Sequence, residues 1–220
     1  MNFDTILFDL DGTLTDPAEG ITNSVIYALK KLGITPPDKK ELLKFIGPPL
    51  DESFEKYFGL SKTEAVNAVS IYREYFAPKG LFENNIFDGV YEMLSELKKS
   101  GKQIVLATSK PIVFADKILK HFNLYDFFDL TVGSNLDGSL TDKAEVIKTA
   151  LEKLNIANKE NIVMVGDRLH DIIGGKKNGL FTVGVTFGYG NEDELKNAGA
   201  DKIVYNVNAL REFLLANASN

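Results

Sequence analysis

Cysteine is absent from the 220-residue chain. That excludes disulfides, thiolate nucleophiles and Cys-based metal sites together, and it fits a reducing compartment. Positive charge is in short supply: 25 basic side chains stand against 31 acidic ones, a net charge of −6. Such a balance carries no electrostatic footprint for nucleic acid or an anionic membrane. A metal or a lysine can still reverse the field inside a cleft, so an anionic small molecule stays open as a substrate. No apolar run approaches the roughly 20 residues needed to cross a bilayer. The first residues, MNFDTILFDLDG, bring in an acid by the fourth position and no basic stretch, so no secretory signal is expected and a cytoplasmic location is. Internal repeats, low-complexity tracts and a phosphate-loop motif are missing. GVTFGYG does not open a helix after a first strand, so it is no dinucleotide fingerprint. What remains is ordinary soluble composition, 44% hydrophobic and 25% charged, enough for one large domain or two modest ones.

Two textures alternate along the chain. From about Pro17 to Leu81 the pattern is helical only. Asp16 and Glu19 flank Pro17 as a capping-box start, after which Ile21, Val25, Ala28, Leu29 and Leu32 recur at helical spacing until Gly33. DKKELLKFI and DESFEKYF read as two short helices, and Ser61 with Glu64 is a second capping box. Elsewhere TILF, QIVLAT, DLTVGS, NIVMVGD and FTVGVTF are short β-branched apolar runs, separated by amphipathic stretches such as KAEVIKTALEKLN. Continuous rather than alternating apolar strands are buried on both sides. The expected fold is therefore α/β, a Rossmann-like parallel sheet with helices on both faces. Residues 1–15 and 82–220 form that core, and residues 16–81 form an inserted all-α domain, placed to act as a lid.

Charge collects where the apolar runs end. In ILFDLDGTLTD, Asp9 arrives where the strand should still be dry, and Asp11 follows before Gly12. Taken alone, Asp-x-Asp-Gly also fits a turn whose side chains accept backbone hydrogen bonds. Asp167 and Asp171 at the end of a second run shift the balance, because open parallel sheets bind ligands beyond the carboxyl ends of their strands. Clustered buried carboxylates need a cation. With hard oxygens and no thiolate on offer, Mg²⁺ is expected, held by Asp9 and Asp167 with a backbone carbonyl near Asp11. Asp171 lies one helical turn past Asp167 and is read as a supporting residue rather than a ligand. Arg168 and His170 are left outside the catalytic set. FGYG, Phe187 to Gly190, is read as backbone permissiveness at the same sheet edge.

Four stretches together resemble the haloacid dehalogenase-type hydrolases. DLDGTLTD is similar to their first motif, VLATSK to the second, Lys143 in GSLTDKAEVI to the third and VGDRLHD to the fourth. The helical block resembles the cap that one branch inserts after the first strand. The resemblance implies a Mg²⁺-dependent phosphatase of small phosphorylated metabolites, with Asp9 as nucleophile and Asp11 as general acid and base. It also implies that Thr108 and Lys143, with Ser109 beside them, hold the phosphoryl oxygens. Halide-displacing members lack the second acid, so Asp11 argues for phosphoryl chemistry. The wording is most similar to the phosphoglycolate phosphatase and 5′-nucleotidase group, with the fourth motif leaning to the latter. The alternatives are a β-phosphoglucomutase-type transferase and a regulatory phosphoacceptor that stops at phospho-Asp. IGPPLDESF, Ile46 to Phe54, is the stretch of the cap expected to reach substrate. Neither nucleic acid nor membrane is an expected partner, and no oligomeric state is assigned.

Overall fold

The computed structural model describes residues 3–216. The chain divides into two units: one runs to Thr15 and resumes at Ile86, the other spans Asp16–Asn85.

In the first unit the apolar runs become strands. β1 (Thr5–Phe8) is buried along its whole length, as is β6 (Ile162–Gly166), because each has a parallel neighbour on both sides. β4 (Gln103–Pro111), β5 (Leu130–Ser134), β7 (Phe181–Val185) and β8 (Lys202–Val204) complete a six-stranded parallel sheet in the order β5-β4-β1-β6-β7-β8. β8, a half-exposed edge strand of three residues, has no counterpart in the sequence reading. The chain builds outward from β1 in one direction and then in the other, so the order reverses beside β1. That reversal is the position at which such sheets bind ligands.

Helices α5 (Val90–Lys99), α6 (Ile112–His121), α7 (Lys143–Lys153), α8 (Leu169–Lys177), α9 (Glu192–Asn197) and α10 (Val207–Leu215) pack around the sheet. Leu7, Val105, Val132 and Met164 meet Val146, Ile147 and Leu151 of α7 in one apolar cluster. The alternate residues Ile6, Phe8, Ile104 and Leu106 are equally buried and face the opposite way by the pleat.

The second unit is helical. α1 (Ala18–Lys31) packs on α4 (Lys62–Tyr75), which also holds α3 (Leu50–Phe58). The short α2 (Lys39–Leu42) tightens into a 3₁₀ turn at Leu43–Phe45, where Phe45 meets the Phe54 ring at 5.1 Å. The Ser61–Glu64 capping box forms. The one expected at Asp16 does not. Asp16 belongs to a two-residue strand, β2 (Thr15–Asp16), paired with β3 (Asn85–Ile86), so Pro17 becomes the N-cap. Asp16 Oδ1 accepts from the Ala18 amide instead, at 3.0 Å. Residues 82–85 go with the helices because Glu83 is tied to them. Its carbonyl accepts from Gly20 N at 2.9 Å, and its carboxylate takes Asn23 Nδ2 at 2.8 Å and the Tyr75 hydroxyl at 3.0 Å. Among the described residues, no helix is long and apolar enough to cross a membrane.

Candidate active site

β1 delivers Asp9 to the reversal of the sheet while its amide is still in the ladder, donating to Val165 O at 3.0 Å. The chain then turns tightly, with the amides of Thr13, Leu14 and Thr15 all donating to the Leu10 carbonyl. Gly12 makes the turn possible for two reasons. Its φ is +83°, and a Cβ there would stand 2.2 Å from Asp167 Oδ2.

Asp167 follows β6 and is fully buried. Its Oδ2 accepts from the Tyr189 amide at 2.7 Å, whereas Oδ1 has no hydrogen-bond partner among the described residues. The loop that supplies Tyr189 corrects the reading of FGYG. Gly188 and Gly190 do not adopt positive φ; they are there for close approach. A Cβ on Gly188 would lie 2.1 Å from Gly12 O, and one on Gly190 would lie 1.8 Å from Asp167 O.

Asp171 sits in the first turn of α8 and accepts from the Arg168 amide at 3.1 Å, an arrangement favoured at a helix N-terminus. Arg168 itself is turned aside. Its Nε donates to Glu194 Oε1 at 2.8 Å, and the same oxygen takes the Leu169 amide at 2.9 Å. Glu194 therefore anchors the start of α8 from α9. No sequence motif pointed to it, although its place in the first turn of α9 is legible.

Lys143 opens α7, whose N-cap Asp142 accepts from the Glu145 amide. The ammonium lies 2.7 Å from Asp9 Oδ1, 2.8 Å from Asp171 Oδ1 and 3.0 Å from the Ala107 carbonyl. Burial alone would lower the lysine; the facing Asp171 and Asp9 carboxylates outweigh it and hold Lys143 above its ordinary range. The sequence run QIVLAT stops at Thr108, but β4 continues through a bulge to Pro111, so Thr108 and Ser109 lie within the strand; Thr108 is buried, its hydroxyl accepting from Lys110 N at 3.2 Å, and Ser109 is half-buried. Lys110 is the residue that motif reading passed over. Its ammonium pairs with Asp11 Oδ2 at 2.5 Å.

Asp9, Asp167 and Asp171 each offer an oxygen within 4.8 Å of the others, and all three are buried. Asp11 stands outside this group and engages Lys110. Four carboxylates thus face two ammoniums, an excess of two negative charges when all are ionised. Burial raises Asp167 well above its ordinary value, with Asp171 and Asp9 adding to the effect. Burial likewise pushes Asp171 up to about 6 despite Lys143. Asp11 is raised by burial against the pull of Lys110. A divalent cation removes this strain. The donors are all hard oxygens, and the unpartnered Asp167 Oδ1 lies among them, so the residues fit such an ion.

Residues 6–185 match the family described as haloacid dehalogenase-like hydrolase. The chain is 45% identical over 214 residues to a 5′-nucleotidase of Pseudomonas aeruginosa, covering 97% of this chain and 96% of that one. It is 36% identical to the tyrosine-protein kinase PtkA of Mycobacterium tuberculosis, over 95% of this chain and 72% of the relative. The crystal structure of a predicted phosphatase from Clostridium acetobutylicum superposes with a TM-score of 0.94 at 50% identity, over 98% of this chain and 100% of that one.

Proposed function

The chain belongs to the haloacid dehalogenase-like hydrolases and acts on phosphate esters, and on that premise we propose a Mg²⁺-dependent phosphomonoesterase that works through an aspartyl-phosphate on Asp9. The observation that carries the reading is the buried group of Asp9, Asp167 and Asp171, with oxygens within 4.8 Å of one another beside the Lys143 ammonium. Asp9 and Asp167 would hold the ion, with the Asp11 carbonyl as a further oxygen. Asp171 is assigned to holding Lys143 and the start of α8. Magnesium bound there supplies positive charge against the phosphoryl oxygens.

The rest belongs to the chain's own groups. An Asp9 oxygen attacks phosphorus, which splits a hard displacement into two easier ones. Asp11 protonates the leaving oxygen and later takes a proton from the attacking water. Burial, by raising this carboxyl, favours the protonated form the first step needs. Thr108 and Lys143 hold the phosphoryl oxygens, and Ser109 adds a hydroxyl from the same strand. Positioning and charge stabilisation carry most of the rate in phosphoryl transfer.

Among small phosphomonoesters we favour nucleoside 5′-monophosphates. The relative called a 5′-nucleotidase is similar across nearly the whole chain, whereas phosphoglycolate rests on motif wording alone. Choice of substrate is assigned to the inserted helical unit, with residues 46–54 the first to vary.

With p-nitrophenyl phosphate and Mg²⁺, phosphate release should continue through many turnovers and stop on addition of EDTA. Asp9→Asn should abolish release while circular dichroism stays unchanged; retained activity would end the nucleophile assignment. Less than one phosphate per chain would instead mark a phosphoacceptor. An isomerised product that needs a bisphosphate activator would mark a mutase. A panel of nucleoside 5′-monophosphates run against phosphoglycolate then decides the substrate class.

A further inference from the structure

Between the pairs Ala107↔Val132 and Pro111↔Ser134, β4 sets three residues against one of β5. The one is Gly133, where a Cβ would stand 2.6 Å from the Lys110 carbonyl oxygen. A residue without a side chain lets the bulged strand lie against its neighbour. Bulges of this kind re-aim a side chain from the direction the pleat would give it. Lys110 stands in that bulged stretch. Its ammonium lies 2.5 Å from Asp11 Oδ2, and the two side chains keep only 7% and 13% of their surface exposed. The other oxygen, Asp11 Oδ1, is buried and has no hydrogen-bond partner among the described residues.

These observations give the two oxygens of Asp11 different work. An ammonium can only donate, so Oδ2 is held as an acceptor. A protonated carboxyl has a single O–H, and that proton falls to Oδ1. We propose that Lys110 is a positioning residue for Asp11: by occupying Oδ2 from the β4 bulge, it fixes the carboxyl plane and leaves Oδ1 to exchange the proton with the leaving oxygen. The inference rests on the reading of Asp11 as general acid and base given above. In the step it serves, an Asp9 oxygen bonds to phosphorus as the bond from phosphorus to the ester oxygen breaks. The electron pair of that bond goes to the ester oxygen, which takes the Oδ1 proton and departs as an alcohol. Water then attacks the aspartyl-phosphate, its proton passes to Oδ1, and Asp9 is restored as phosphate leaves.

The test uses the leaving group. A nitrophenolate departs without a proton, whereas an alkoxide needs one. kcat/KM should therefore be compared for p-nitrophenyl phosphate and glycerol phosphate, with Mg²⁺, in the native protein, Asp11→Asn, Lys110→Met and Lys110→Gln. This constant reports passage through the first chemical step and leaves out hydrolysis of the aspartyl-phosphate. Asp11→Asn and Lys110→Met should each lose about 10²-fold or more on the alkyl ester relative to the aryl ester. Lys110→Gln keeps an N–H donor and should recover part of that ratio; it also serves if the Met variant folds poorly. If Asp11→Asn lowers both esters alike, the general-acid reading fails. If Asp11→Asn discriminates while the Lys110 variants lower both esters equally, or neither, the acid reading stands and the role given to Lys110 is overturned.

Discussion

Among the described residues, the unit built on the sheet buries five charged side chains, Asp9, Lys102, Lys143, Asp167 and Asp171, whereas the helical unit buries none. Its buried polar residues are Thr22, Ser24, Ser53 and Asn84. Three of these settle their hydroxyls locally, on the carbonyl one turn back: Thr22 on Ala18, Ser24 on Gly20 and Ser53 on Pro49. A hydroxyl satisfied within its own helix asks nothing of the rest of the fold. A buried carboxylate asks for a counter-charge brought from far along the chain, as Lys143 is brought to Asp9. Stability is therefore given up for chemistry in one unit only, and the other is left to hydrocarbon packing.

The harshest way to sharpen this contrast is Lys143→Met. It strands Asp9 and Asp171 without their ammonium and should cost about 3–5 kcal/mol in urea unfolding measured with EDTA present. A loss below about 1 kcal/mol would show that these charges are not in a dry interior. A milder probe is pH. Asp171, pushed up to about 6, and Asp167, raised well above its ordinary value by burial, hold protons more tightly folded than unfolded. The metal-free chain should thus be most stable near pH 4 and lose stability as pH rises toward 7, because the folded state must give up those protons. Magnesium, proposed above to bind the ionised acids, should flatten or reverse that slope in melting temperature. A metal-free protein that gains stability from pH 4 to 7 would break the comparison. The smallest effect belongs to the helical unit. Ser53→Ala removes one locally satisfied hydroxyl and should change unfolding free energy by less than about 1 kcal/mol, with Mg²⁺ affinity unchanged by titration calorimetry.

The parts of the molecule legible in the sequence are those where physics leaves a one-dimensional trace. Strands buried on both sides must be continuously apolar, so β1, β4, β6 and β7 stand out, and an acid that closes such a run, as Asp9 and Asp167 do, has no bland surroundings in which to hide. Short edge strands leave no such trace. Lys202–Val204 is half exposed and too brief to show a pattern. Lys110 was hidden for a different reason. Which way it points depends on a shift in the register of β4 against β5, set by Gly133 nearly two dozen residues on, and no local pattern encodes it. The Asp16 cap failed because propensity treats the residue as free to cap, whereas pairing with β3 already claims its backbone. FGYG was noticed for its glycines, but their purpose, to let two loops touch around Asp167, exists only in three dimensions.

The ammonium of Lys143 has three hydrogens, and three acceptors stand within 3.0 Å of it: Asp9, Asp171 and the Ala107 carbonyl. In the reaction proposed above, an incoming phosphoryl oxygen cannot simply be added to this roster; one tenant must leave. On the proposed aspartyl-phosphate route Asp9 is the natural one to yield, since its oxygen would shed negative charge on becoming an ester. In that scheme the lysine would swing its grip from Asp9 to the phosphoryl group, so that the order of events is written into a count of protons.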